Sequence, residues 1–362
     1  MKTDNYNLLF KLIQVSIGRI ESLGHIPTQK QWRILFDIAQ QQALTGLLFD
    51  GIERLHTKNV ICPKDILFQW MAVTLQLEER NKLLNKRSKE IYDLFSDKGF
   101  RNCILKGQGA AHLYPHPMRR QSGDIDIWIE GDRKQIILFL HNSKYDVEKI
   151  IVHHADAKIF PDVSTEIHFM PIWLYNPIHN WRLQSFFNKM SDEQFKHYDE
   201  EIGFCYPTLL FNAVYSLTHI FHHLMDEGIG LRQVIDYYYI LLNLPSDSKE
   251  IANAVLKSIG MDDFAGAIMY VLKEVCGMDA KYMLCKPQEK LGAFVLNEIM
   301  IAGNFGMYDN RFERKEKESL LQLNERKLNR AMRFVYYFPS EVLFIPLWKC
   351  WHRGWRKFHG YI

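Results

Sequence analysis

Apolar residues recur at helical spacing over the first hundred positions. Leu8, Leu9, Leu12, Ile13 and Ile17 form one stripe, and Trp32, Leu35, Phe36 and Ala39 form another. Pro27 and Pro63 punctuate this region. Pro63-Lys64-Asp65 predicts the start of a long helix reaching about Asp97, with Gly99 ending it. The period then shortens. A strand is expected over Arg101–Leu105, a helix at about Gln108–Leu113 and a strand through Asp124. A helix at Asp132–His141 and strands at Val147–His153, Ala157–Pro161 and Val163–Phe169 complete a small mixed sheet with helices on one side. Pro171, Trp173, Pro177 and Trp181 read as a loop-rich exit. From Pro207 the helical period returns, through Phe221, Val234–Leu242 and Ile251–Val275, with a break at Pro245-Ser246-Asp247. Charges of alternating sign over Arg311–Lys317 read as a solvated helix or linker. The expected class is α+β. Its parts are a helical segment (1–98), a sheet-bearing unit (99–204), a second helical unit (205–310) and a basic aromatic tail (311–362).

The densest chemistry lies in Gly123-Asp124-Ile125-Asp126-Ile127. On a strand, Asp124, Asp126 and Trp128 share one face while Ile125, Ile127 and Ile129 face the core. The two carboxylates then stand about 6–7 Å apart and can share divalent metal. In Ser164-Thr165-Glu166-Ile167-His168, Glu166 and His168 share a face. Laid beside the first strand, Glu166 completes a triad. Asp124 and Asp126 are expected to ligate a nucleotide-bound metal. Asp126 and Glu166 are expected to bind a second ion and to orient or deprotonate an attacking hydroxyl. Asp-x-Asp alone is a weak signal; the preceding glycine turn and the third acid raise it.

Three further features extend this pattern: Leu105-Lys106-Gly107, the Tyr114-Pro115-x-Pro117 turn and Arg120-x-x-Gly123-Asp124-x-Asp126. Together they resemble the nucleotidyltransferase superfamily with a polymerase β-like palm, and within it a bacterial group of uncharacterised nucleotidyltransferases. His219-x-x-x-His223 with Leu231-Arg232 and Asp236 resembles the helical motif that follows the palm in that group, and Asn304-Phe305-Gly306 a further shared element. The resemblance spans about residues 30 to 310 and is densest over 100–240. It implies a palm flanked by helical segments, binding of an NTP with Mg²⁺ (or Mn²⁺), and transfer of NMP to an acceptor with release of pyrophosphate. The acceptor is a small molecule, a protein or RNA. Where the superfamily carries Gly-Ser or Gly-Gly, this chain has Gly107-Gln108-Gly109 after Lys106. Amides at the helix start near Gln108, with Lys106 as a point charge, are then the expected phosphate contacts. Arg120, rather than Arg119, is expected to meet phosphate or carboxylate. His219, His223, Arg232 and Asp236 are expected on a helix pair closing over the nucleotide. His219 and His223 have the spacing of a zinc pair but lack a third ligand, and Arg232–Asp236 also fits a plain i,i+4 ion pair. His153, His154 and His179 carry no readable signal.

Composition sharpens this picture only slightly. The chain has 362 residues, 47% hydrophobic and 13% aromatic, which implies a substantial folded core. A net charge of +3 is too small to indicate a nucleic-acid partner. Its 6 scattered cysteines suggest neither zinc ribbon nor disulfide framework, consistent with a cytoplasmic setting. The N-terminal residues lack a signal-peptide pattern, and no uncharged apolar run reaches the roughly 18 residues of a membrane span. Between Arg326 and Lys357 basic residues abound beside a single acid, Glu341, and Trp348, Trp351 and Trp355 share a helical face. The expected arrangement packs those tryptophans on the body. The competing ones are contact with RNA or with an anionic membrane. Two rival functions remain: a metal-dependent phosphotransferase or hydrolase using the same acids, and a non-catalytic module holding RNA or membrane.

Overall fold

The computed structural model describes residues 2–312 and 319–361. Four helices precede the sheet: α1 (Lys2–Ser16), α2 (Gln29–Gln41), α3 (Thr45–His56) and α4 (Lys64–Ser96). The start of α2 is fixed by a capping box, in which Thr28 Oγ1 accepts the Gln31 amide while the Gln31 side chain accepts the Thr28 amide. Helix α4 runs the full expected length, about 50 Å from its rise per residue. Gly99, at φ +81°, turns the chain back where a side chain is disfavoured.

The sheet that follows holds β1 (Asn102–Ile104), β2 (Ile125–Ile129), β3 (Asp146–Ile150), β4 (His154–Lys158) and β5 (Thr165–His168) in the order β1-β2-β5-β4-β3. Only β2 and β5 run parallel. A one-turn helix, α5 (Gln108–Ala111), follows β1, and α6 (Arg133–Asn142), capped by Asp132, follows β2. The α5 helix is shorter than the period predicted. Beneath the sheet, Ile125, Ile127 and Ile129 pack on Ile136 and Leu140 of α6 and on Leu84, Ile91 and Phe95 of α4.

Two expectations are corrected here. The acid-bearing face of β2 is also buried, and helices cover both sides of the sheet: Trp128 packs on Phe195 and on Phe211 of the later helix Leu209–Asp226, with ring centres 4.6 and 5.7 Å away. The supposed loop around Trp181 is an eighteen-residue helix, α7 (Pro177–Gln194), because Pro177 occupies the first helical turn and Asn176 caps it by accepting the Ile178 and His179 amides.

A small hairpin, β6 (Tyr198–Asp199) and β7 (Phe204–Cys205), leads into α8 (Leu209–Asp226), α9 (Leu231–Asn243), α10 (Ser246–Ser258), α11 (Asp262–Cys276) and α12 (Glu289–Ala302). The expected Ile251–Val275 helix is split between α10 and α11 at Gly260, φ +68°. Helix α1 packs on α3 and α11, so the helices before and after the sheet share one apolar core. Most of the Arg311–Lys317 charge run lies outside the described residues. Arg311 itself forks onto Glu298 and Asp309. The chain closes with α13 (Leu320–Met332), α14 (Pro339–Val342) and α15 (Ile345–Phe358). Trp348 of α15 stacks on Trp173 at 5.3 Å, and Trp355 takes the Arg133 guanidinium over its ring, as expected of a helix packed on the body. Trp351 is half exposed instead.

Candidate active site

Strand pairing assembles the site. The parallel register of β2 with β5 sets Asp126 opposite Glu166 and Trp128 opposite His168. The antiparallel register of β4 with β5 sets Asp156 opposite Glu166 and His154 opposite His168. Three strands thus present a row of carboxylates beside a row holding two imidazoles, on the face that α8 covers.

Asp126 is fully buried, and its two oxygens differ. Oδ1 lies 3.0 Å from Lys106 Nζ and 2.9 Å from His168 Nε2. Oδ2 is buried without a hydrogen-bond partner. An unsatisfied carboxylate oxygen in the interior is costly, and a cation there would satisfy it. Asp124, Asp126 and Glu166 each offer an oxygen within 4.8 Å of the others. An all-oxygen set of this kind suits hard ions such as Mg²⁺ and Mn²⁺.

Charge in the site is finely opposed. The neighbouring Asp126 charge, reinforced by burial, raises the Asp124 carboxyl above its ordinary range. Burial acts against the Lys106 charge, but Asp126 and Asp124 hold the ammonium protonated. Burial likewise works against the His168 cation, yet its hydrogen bonds to Asp126 and Glu166 prevail and push it up to about 9. For Glu166 burial favours the acid form, and the His168 hydrogen bond, His154 and Lys106 overcome it, lowering the carboxyl.

Helix α8 brings a column of rings down to this point. Phe211, Tyr215, His219 and His223 lie one turn apart, with consecutive centres 6.0, 5.8 and 4.3 Å away from one another. His219 Nε2 lies 3.1 Å from Lys106 Nζ. Burial, then the Lys106 charge, keeps His219 well below its ordinary pKa, and the same two causes lower His223 to about 4. Both rings therefore stay neutral at neutral pH. Among the described residues this pair belongs to no group of metal-competent ligands.

The remaining expected residues divide. Lys106, Gly107, Arg120, Arg232 and Asp236 line one cleft with Asp124, Asp126 and His219. Glu166 and His223 border the adjoining cavity, whose wall also includes Lys106, Asp124 and His219. Gln108 and Gly109 lie outside both clefts. The Gln108 amide is buried against Asn85, and a side chain at 109 would meet Tyr206 Cβ at 2.9 Å. Gly107 holds φ +68°, the turn that sends Lys106 inward.

Arg120 forks onto Asp236, Nε to Oδ1 at 2.7 Å and Nη2 to Oδ2 at 2.8 Å, and Tyr114 Oη donates to the same carboxylate at 2.6 Å. The carboxylate that Arg120 meets is thus internal, and Asp236 pairs with Arg120 and not with Arg232. Arg119 turns the other way, onto Asp50, Glu53 and Glu78. Arg232 donates through Nη1 to the Gln121 carbonyl at 2.8 Å, while its buried Nε has no hydrogen-bond partner. Its guanidinium sits 5.8 Å from the Phe305 ring centre. Phe305 holds φ +51°, a left-handed backbone that is strained for a non-glycine residue.

Several residues at the site escaped the sequence reading: Tyr215, Trp173, His222 and the His153-His154-Asp156 group. Only the last carried a signal, since His154 and Asp156 alternate on one strand face.

A family model described as uncharacterised nucleotidyltransferase matches residues 28–277, about two thirds of the chain. The match runs from the start of α2 to the end of α11 and leaves Asn304–Gly306 and the C-terminal helices outside. No curated protein matches the chain.

Proposed function

This chain belongs to the uncharacterised nucleotidyltransferase family, and from that premise we propose that it transfers NMP from an NTP, held with Mg²⁺ or Mn²⁺, to an acceptor hydroxyl. The observation that carries this reading is the Asp126–Glu166 register, with Asp124 alongside and Asp126 Oδ2 unpartnered. Asp124, Asp126 and Glu166 are the residues that would hold the metal. When bound, it neutralises charge on the phosphates and on the attacking oxygen.

The protein's own groups do the rest. Lys106 and the unpaired Arg232 Nε–H face the cleft as donors for phosphate oxygens. Arg120 is committed to Asp236 and holds the cleft wall in place. Glu166 is partly exposed and held ionised, so it is placed to orient the acceptor hydroxyl, whose proton passes to solvent as the new bond forms. The acceptor oxygen bonds to the α-phosphorus as the bond to the bridging oxygen breaks, and pyrophosphate leaves with that electron pair. Much of the catalysis is positioning.

Calorimetry of Mg²⁺-dependent NTP binding on wild type and Asp126→Asn tests the site. Binding by wild type alone, only with metal, is expected; no NTP binding under any metal condition overturns the reading. NTP labelled at the α-phosphate then separates the chemistries. Label on the acceptor marks nucleotidyl transfer, whereas label released as free nucleotide marks a hydrolase or a phosphotransferase.

A second element concerns α15. Leu343, Leu347, Trp351 and Phe358 form one exposed stripe, between 53% and 87% accessible, with Arg353 and Lys357 flanking it. No described helix is long and apolar enough to cross a membrane. A leucine-bearing stripe beside cations suits the interface of an anionic bilayer better than RNA, whose bases stack on aromatic rings. Co-sedimentation with vesicles containing anionic lipid, lost in Leu347→Glu, is expected. Binding to RNA but not vesicles overturns this contact.

A further inference from the structure

His154 and His168 stand beside the acid triad at ligand spacing, and an ion held there would replace the proton through which His168 Nε2 bonds Asp126 and Glu166. His168 Nε2 lies 3.3 Å from Glu166 Oε2, and His154 Nδ1 lies 3.6 Å from the same oxygen. Ligands about 2.1 Å from a tetrahedral ion must stand roughly 3.4 Å apart. One atom from each of His154, Glu166 and His168 falls within 4.8 Å of the others.

A second observation concerns the proton on His154. Its Nε2 lies 2.9 Å from Asp156 Oδ1, so the ring gives its N–H there and turns the lone pair of Nδ1 inward. Carboxylates hold metal-binding histidines in this way, fixing tautomer and orientation. Nδ1 then takes a hydrogen bond from His153 Nε2, 2.7 Å away, and lies 3.6 Å from Glu166 Oε2, so an ion bound there takes the place of the His153 donor.

We infer that His154, Glu166 and His168 form a second cation site, suited to a borderline divalent ion of the zinc class. It stands beside the all-oxygen set of Asp124, Asp126 and Glu166. Two nitrogen donors disfavour Mg²⁺, which prefers oxygen ligands and keeps its waters. Asp156 is a positioning residue, acting through His154. The site shares Glu166 with the proposed catalytic set but does not require that set to catalyse transfer.

The test uses Co²⁺ as probe, because its visible absorption reports ligand number and nitrogen donation. The full chain is titrated as wild type, His154→Ala, Asp156→Asn and Asp124→Asn, each checked for fold by circular dichroism. Wild type and Asp124→Asn should show the bands of a nitrogen-ligated ion, displaced by Zn²⁺ and not by Mg²⁺. His154→Ala should lose them, and Asp156→Asn should bind about 10- to 100-fold more weakly. If His154→Ala does not fold, Asp156→Asn decides. Absence of the bands in wild type, or full retention in a folded His154 or Asp156 variant, overturns the inference. Wild type that binds Mg²⁺ with NTP but not Co²⁺ defeats this site alone. Co²⁺ binding without any NTP binding defeats the transferase reading alone.

Discussion

Lys106 Nζ stands 3.0 Å from the fully buried Asp126 carboxylate, so the central acid carries an internal counter-ion. Replacing that lysine with glutamine leaves His168 as the remaining close cation on the carboxylate, so the change should cost less than the roughly 3–5 kcal/mol of a wholly uncompensated buried charge. The Lys106→Gln variant should melt below wild type. Added Mg²⁺ should restore more stability to it than to wild type, because a ligand of the native state stabilises by mass action. Thermal melts with and without Mg²⁺ check both statements; an equal response of the two proteins contradicts the second.

Asp236 accepts from Arg120 and from Tyr114 in the interior. Asp236→Ala strands a buried guanidinium and is expected to destabilise by about 3–5 kcal/mol. Tyr114→Phe, which removes one neutral donor to a charged acceptor, should cost less, about 1.5–3 kcal/mol. Urea denaturation of the two variants gives the ranking, and a larger loss in Tyr114→Phe refutes it.

Gly46 in α3 packs directly on the backbone of the turn that carries Arg119 and Arg120, where a Cβ would run into the Arg119 carbonyl. Backbone cannot swing aside as a side-chain tip can. Gly46→Ala should therefore cost about 1–3 kcal/mol by overpacking. It should also weaken NTP binding, because the shifted turn leads through Gln121 to Arg232 and Asp124. Calorimetry on the folded variant measures the second effect.

Asp309 accepts from Arg311 and Arg330. Burial favours its neutral form, but the hydrogen bonds from both arginines dominate and lower the carboxyl to about 2 from an ordinary 3.8. A group depressed on folding contributes stability above its unfolded pKa and loses it as pH falls through the folded one. About 2 kcal/mol should thus be present at neutral pH and disappear between roughly pH 4 and pH 2. Asp309→Asn should remove that contribution and flatten this part of the stability–pH curve. An unchanged curve rules the assignment out.

Elements ruled by local period and punctuation could be read from the sequence, and pairing registers could not. Helix α4 announces itself through Pro63 and Gly99, and the common face of Glu166 and His168 follows from a period of two. Helix α7 was hidden because Pro171 and Pro177 resemble loop markers, although Pro177 opens a helix whose cap, Asn176, is a standard signal. The strand holding His154 was expected to begin at Ala157. No glycine or proline marks the turn at 151–153, so the register slipped and the pair His154–Asp156 lost its meaning. Arg120 could not be assigned to Asp236 from sequence, since they are 116 positions apart and only the packing of α9 beside the palm joins them.

Strand β2 has one more consequence. Its isoleucines belong to the core beneath the sheet, and Trp128 belongs to the core that the outer helices share. Asp126 sits between the two, so it is placed only when both have closed. A chain with one core formed and the other open lacks the site altogether. Turnover therefore acts as a coincidence detector for folding: it reports molecules in which both halves are complete, and partly assembled ones are silent.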